Sequence, residues 1–269
     1  MQFEYICAYM AIVTLTTDLG TKDFYAASIK GRIYTLCPNV SIVDITHEVP
    51  PFDVEIAAFS LKNTYKDFPK GSIHIIGVDP VEKENQKHVI VFHDDHYFVS
   101  ADNGLFSFLF DIIPDQVLLI DIASHSTTTT FPAKDIFATV AAHLASGKSL
   151  DEVTSGQHVL VNRSSIGPTF ESNTISGHAI YVDSMGNITT DITKEAFKKI
   201  GLGRNFEVGF RRPGNSIQKI SRYYNQVPAG EKIALFNNFN SLEIAINQGN
   251  ASKLFGMKRG DVIRVNFVD

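Results

Sequence analysis

In the first half of the chain, apolar runs of strand length alternate with stretches of helical spacing. Ile12 to Thr16, Ile42 to Ile45 and Ile73 to Val78 read as strands, and Asp23 to Leu36 and Val54 to Tyr65 as helices. Such an alternation has few solutions: a mainly parallel sheet wrapped by helices, with connections that return to the same end of the sheet. Ile56, Phe59, Leu61 and Tyr65 fall close to one helical face, and Pro38 and Pro69 lie just beyond the two helices, where proline commonly follows a helix end. In an open sheet of this kind ligands bind beyond the carboxyl ends of the strands. Thr17-Asp18-Leu19-Gly20-Thr21-Lys22-Asp23 occupies that place after the first strand. Asp18 there can accept ligand hydroxyls while Gly20 lets the backbone approach closely; the alternative is that Asp18 and Asp23 only shape a turn and cap a helix.

Val89 to Phe92 and Tyr97 to Val99 flank His93-Asp94-Asp95-His96. Two histidines and two aspartates could be drawn as a metal site, but short polar residues are what a hairpin tip requires. Neither Cys7 nor Cys37 has a metal-ligand spacing, and no metal is expected. Asp135 to Ser146 reads as a further helix. The polar, broken segment Gly167 to Thr174 reads as a linker, dividing an α/β domain over 10–166 from a smaller domain over 175–269. In the latter, Ala179 to Val182, Glu207 to Phe210, Ile233 to Phe236 and Val262 to Phe267 are short strand-like runs, with short helices at Lys194 to Ile200 and Ala251 to Phe255. This predicts a mainly β domain.

A net charge of −5 supplies no basic field for a nucleic-acid backbone. No uninterrupted apolar stretch approaches the roughly 20 residues that span a bilayer, so neither nucleic acid nor membrane is an expected partner. Met1 to Tyr9 holds no Lys or Arg and shows no signal-peptide n-region, which predicts a cytoplasmic location. Met10 is an alternative start.

Four further segments follow Asp18 in order: Ser41 to His47 with Pro50-Pro51-Phe52-Asp53-Val54, Ala101-Asp102-Asn103-Gly104-Leu105, Ala141 to Ala145, and Tyr181-Val-Asp-Ser-Met-Gly-Asn-Ile-Thr-Thr-Asp-Ile192; Asn247 to Asn250 completes the set. Together they resemble the S-adenosylmethionine hydroxide adenosyltransferase family, whose relatives include S-adenosylmethionine-dependent fluorinases and chlorinases. The resemblance runs from about Ala11 to Val268. It implies an α/β N-terminal domain, a β-barrel-like C-terminal domain, and a homotrimer with ligand sites between subunits. It also implies release of adenosine and methionine from S-adenosylmethionine by in-line attack of water at the ribose 5′ carbon. That chemistry needs no cofactor, because the sulfonium is already a good leaving group.

By the same resemblance, Asp18 accepts both ribose hydroxyls, Asp183 pairs with the methionine ammonium, Asn187 bonds the adenine edge and Phe52 lies near the substrate. For Asp183 and Asn187 a simple hairpin turn is the alternative, and for Phe52 a core position. Asp79, ending Ile73-His-Ile-Ile-Gly-Val-Asp79, stands where hydroxide-using members carry an Asp and halogenases a Tyr. The Arg and His that accompany this Asp in the family are absent, with Gln86 and Pro132 in their places. If Gln86 begins a strand, His88 shares its face by the two-residue period and becomes a catalytic candidate beside Asp79, or else an ordinary packed histidine. A binding module without turnover, and an adenosyltransferase that uses another nucleophile, are the competing functions.

Overall fold

The computed structural model describes residues 10–121, 129–164, 167–210 and 216–268. The readings that concern Met1 to Tyr9, Cys7 among them, lie outside these residues. The chain divides into two compact units, with the division between Ser165 and Ile166.

In the first unit β1 (Ile12–Thr17), α1 (Tyr25–Leu36), β2 (Ser41–Thr46), α2 (Val54–Lys62) and β3 (Ile73–Gly77) follow the expected alternation. They continue into β4 (His88–His93), β5 (His96–Ala101), α3 (Phe106–Leu109), β6 (Gln116–Ile120), α4 (Ala138–Ala145) and β7 (Thr154–Gln157). The sheet order is β2-β1-β3-β5-β4-β6-β7. It is parallel from β2 to β5 and antiparallel beyond. Strands covered on both faces carry unbroken apolar runs, and Val13, Leu15, Ile73 and Ile75 join Ile29 and Ile33 of α1 and Val140 and Ala141 of α4 in one core.

The helix boundaries have local causes. Asp53 caps α2, its carboxylate accepting the Ile56 N–H at 3.1 Å. Asp23 plays no such part, because α1 begins after Phe24 without a side-chain cap. A wide turn over Ala133–Phe137 leads from Pro132 into α4. The β4–β5 hairpin turns at Asp94 and Asp95, both left-handed with φ of 53° and 62°, which is the conformation that a two-residue hairpin needs. Among the described residues no group of three or more His, Cys, Asp or Glu side chains is placed to hold a metal ion.

The second unit contains β8 (Thr169–Phe170), β9 (Thr174–Val182), β10 (Ile188–Thr193), α5 (Lys194–Gly201), β11 (Asn205–Phe210), β12 (Ser216–Ile217), β13 (Ile220–Ser221), β14 (Lys232–Phe236), β15 (Ser241–Ile246), α6 (Ala251–Phe255) and β16 (Val262–Val268). Its sheet runs β12-β11-β16-β9-β10-β15-β14-β13, with β8 on β9. It curls until β12 approaches β14, nearly closing a barrel. Ile175, Ile188, Ile244, Val265 and Phe267 fill the interior. The stretch expected to be a linker therefore contains a strand, since Thr169 and Phe170 pair with Ser176 and Ile175.

Candidate active site

The strand order creates the site. The chain passes from β1 outward to β2 and then back across β1 to β3, so a crevice opens beyond the ends of β1 and β3. Thr17 and Gly77 are the last register partners of these strands. A Cβ on Gly77 would stand 3.1 Å from that of Ala133, so a small residue there lets the start of the Ala133–Ala145 helix close over the same end. The β1–α1 and β2–α2 loops are joined by Gly20 N–H to His47 O at 2.7 Å and Val49 N–H to Thr17 O at 3.3 Å.

Asp18 follows β1 directly. Its Oδ2 accepts the Phe52 N–H at 2.9 Å, and the Asp79 N–H also acts on its carboxylate. Burial raises the Asp18 pKa; these N–H groups oppose the rise and the Asp79 charge adds to it. Phe52 has a left-handed backbone, φ 65°, and is 73% exposed as a residue. It is no core aromatic, and Asp18 fixes the peptide that carries it.

Asp79 also has a left-handed backbone, φ 41°. Its carbonyl accepts the Gln86 amide at 2.7 Å and the Asn103 amide at 3.3 Å; Gln86 also reaches Val81 O at 2.9 Å, and Asn103 reaches Val78 O at 2.9 Å. The Lys83 ammonium lies on its carboxylate, 3.2 Å from Oδ1 and 3.1 Å from Oδ2. Sequence reasoning missed Lys83. The four-residue spacing from Asp79 was visible, but in a loop that spacing carries no contact rule.

His88 shares the buried side of the loop with Gln86. Its Nε2 is 2.8 Å from Pro80 O, and its ring meets Phe137 edge-on. A carbonyl only accepts, so Nε2 bears the proton. Burial lowers the His88 pKa, keeping the ring neutral. His88 therefore fastens the loop and brings no positive charge to it. Asp102, in the Ala101–Leu105 segment, is also structural: it accepts His158 Nε2 at 2.8 Å and the Val161 N–H at 2.9 Å.

In the second unit Asp183 and Asn187 close a turn on themselves. Asp183 Oδ1 accepts the N–H groups of Met185 and Asn187, each at 2.9 Å, and Oδ2 accepts the Asn187 amide at 2.9 Å. The hairpin-turn reading is thus realised. It also leaves an oriented carboxylate with lone-pair capacity to spare. Gly186, φ 85°, lets Asn250 pack where a Cβ would stand, and Asn250 caps α6 through the Lys253 N–H at 2.7 Å. The two sequence segments that contain Asp183 and Asn250 therefore form one structure. Nearby, Tyr224 donates its hydroxyl to the buried Glu243 at 2.6 Å. Desolvation, then that carboxylate, raises the Tyr224 pKa.

A switch-point crevice that holds Asp18 and Asp79 at the strand ends, accompanied by a β-rich unit with an oriented polar turn, defines a two-unit α/β protein. Residues 13–154 match the SAM hydroxide adenosyltransferase N-terminal domain and residues 177–264 its C-terminal domain. The chain belongs to the SAM hydroxide adenosyltransferase family. It is 29% identical to an (R)-S-adenosyl-L-methionine hydrolase of Methanocaldococcus jannaschii, over 94% of this chain and 95% of that one. It is 22% identical to a fluorinase of an Actinoplanes species, over 94% and 97%. A crystal structure of a conserved Thermotoga maritima protein superposes with a TM-score of 0.85 at 29% identity, covering 95% of this chain and 99% of that one.

Proposed function

We propose that this protein is an S-adenosylmethionine hydrolase. The observation that carries the choice within the family is the pair Asp18 and Asp79 at one crevice. The Asp79 carboxylate repels a halide ion, whereas a neutral water can donate a hydrogen bond to it. In the proposed reaction a water lone pair forms the bond to the ribose 5′ carbon. The carbon–sulfur bond breaks with its electrons left on the methionine sulfur, and the water proton passes to Asp79 and then to solvent. Asp18 accepts the ribose hydroxyls, Phe52 flanks the substrate, Asp183 faces the methionine ammonium and Asn187 the adenine edge. No cofactor takes part. Holding water and carbon in line can supply roughly 7–11 kcal/mol of the rate enhancement, so clamps matter here more than a strong base.

The same proposal includes a cytoplasmic homotrimer in which neighbouring copies complete each ligand site, with no nucleic acid or membrane partner. A trimeric mass by light scattering is expected. The decisive experiment incubates the purified protein with S-adenosylmethionine and follows adenosine and methionine in equal amounts; no adenosine above a buffer control rejects the hydrolase. One observation favours a second reading, an adenosyl-binding module without turnover: Gln86 and His88 both turn to backbone carbonyls. Tight adenosine binding with no product would establish it.

A further inference from the structure

The loop between β3 and β4 carries more order than an exposed connection requires. Three buried side chains, Gln86, His88 and Asn103, converge on the carbonyls of Val78, Asp79, Pro80 and Val81. Lys83 and Gln86 exchange backbone hydrogen bonds at 3.1 Å in both directions, closing a small hairpin. All this holds Asp79 in a left-handed backbone, a costly conformation for a residue with a side chain and one that persists only where its surroundings impose it. The product of the arrangement is an ammonium centred on both Asp79 oxygens. Lys87, the other cation of the loop, is drawn away to Glu82 at 3.1 Å.

We infer that Lys83 is a positioning residue of the active site, acting through Asp79: its ammonium fixes the rotation of that carboxylate and offsets the negative charge that Asp18 and Asp79 share at the crevice. An exposed ion pair contributes little stability, so the function of this one lies in orientation. Lys83 would then do from within the loop what a cation at position 86 cannot, because Gln86 points into the protein. The inference rests on the hydrolase reading.

The test is steady-state kinetics of adenosine release by the wild type, Lys83→Met and Lys83→Arg, with thermal melts of all three. Lys83→Met should lower kcat about tenfold or more while KM for S-adenosylmethionine changes less than about threefold, the pattern of an interaction that matters in the transition state. Lys83→Arg should recover most of kcat, and the melting temperatures should coincide. An unchanged kcat in Lys83→Met overturns the inference and leaves the hydrolase standing, as does a loss of kcat that follows a lowered melting temperature or that Lys83→Arg fails to recover. A wild type that releases no adenosine rejects the hydrolase reading itself, and the role of Lys83 falls with it.

Discussion

Asp18 and Asp79 meet because Thr17 and Gly77, the residues that pair last between β1 and β3, bring the two strand ends level. The Asp18 carboxylate is then held by the Phe52 N–H, while the Asp79 backbone is held through its carbonyl by Gln86 and Asn103 and its carboxylate lies against Lys83. The chemistry proposed for this crevice depends on these attachments, and they can be tested one at a time.

Asp18→Ala is expected to weaken adenosine binding by about 2–5 kcal/mol, since each hydroxyl contact to a charged acceptor contributes roughly 1.5–3 kcal/mol. Asp18→Asn keeps an acceptor for the Phe52 N–H and should lose less. Titration calorimetry on both separates the ligand contact from support of the Phe52 loop; equal affinity in wild type and Asp18→Ala removes Asp18 from the site.

Gln86→Arg places an arginine where the family resemblance expects one, yet activity should fall rather than rise. The substitution removes amide bonds of 2.7 Å and 2.9 Å to Asp79 O and Val81 O and pushes a longer, charged side chain into a buried position. Stability should drop by about 1–3 kcal/mol. Urea unfolding and adenosine release check both parts, and a gain in turnover would contradict the geometry described for the loop.

Gly186→Ala should disturb both the Asp183 turn and the start of α6. The added methyl would lie within 2.2 Å of the Asn250 side chain at a φ of 85°, and left-handed strain alone costs on the order of 1–3 kcal/mol. The unfolding midpoint in urea should fall, and hydrogen exchange should quicken at Lys253, whose N–H the Asn250 cap holds.

Acid should destabilise the first unit through His74. This ring is fully buried, contacts Thr14 Oγ1 at 2.7 Å and His96 Nδ1 at 3.1 Å, and burial lowers its pKa from 6.5 to about 3. Above pH 6.5 both folded and unfolded chains hold it neutral, and its full contribution to stability is present. As pH falls below 6.5 the unfolded chain takes up the proton and the folded one does not, so stability declines towards pH 3. The slope approaches about 1.4 kcal/mol per pH unit for one such proton. Urea melts between pH 7 and pH 4 should show a shallower decline for His74→Gln.

The parallel core was legible because strands covered on both faces write themselves as apolar runs, as Ile73 to Val78 does. Thr154–Gln157, Thr169–Phe170 and Ser216–Ile217 escaped notice because short, polar or edge segments lack that signature. Within the crevice, Asp18 could be read from its place after a strand. The partners of Asp79 could not: whether Gln86, His88 or Lys83 faces the carboxylate depends on a left-handed residue and on three buried amide and imidazole contacts, none of which has a sequence period. Gln86 does not begin a strand, since β4 starts at His88, so the two-residue rule does not apply to the pair; both side chains are nonetheless buried. Asp183 and Asn187 were visible as a motif, and their mutual hydrogen bonds form the hairpin turn that was the alternative to a ligand contact.

Because β4 runs against β5, and β5 lies between β3 and β4, the chain leaving β3 must pass over the end of β5 before it can re-enter the sheet. The Lys87 carbonyl takes the Asp102 N–H at 2.7 Å where that passage ends. The direction change in the sheet thus obliges the protein to carry a bridge over the end of β5, beside the crevice at the ends of β1 and β3. The bridge itself, from Val78 to Lys87, lies outside every named strand, so its residues can be exchanged without altering the pairing of the sheet.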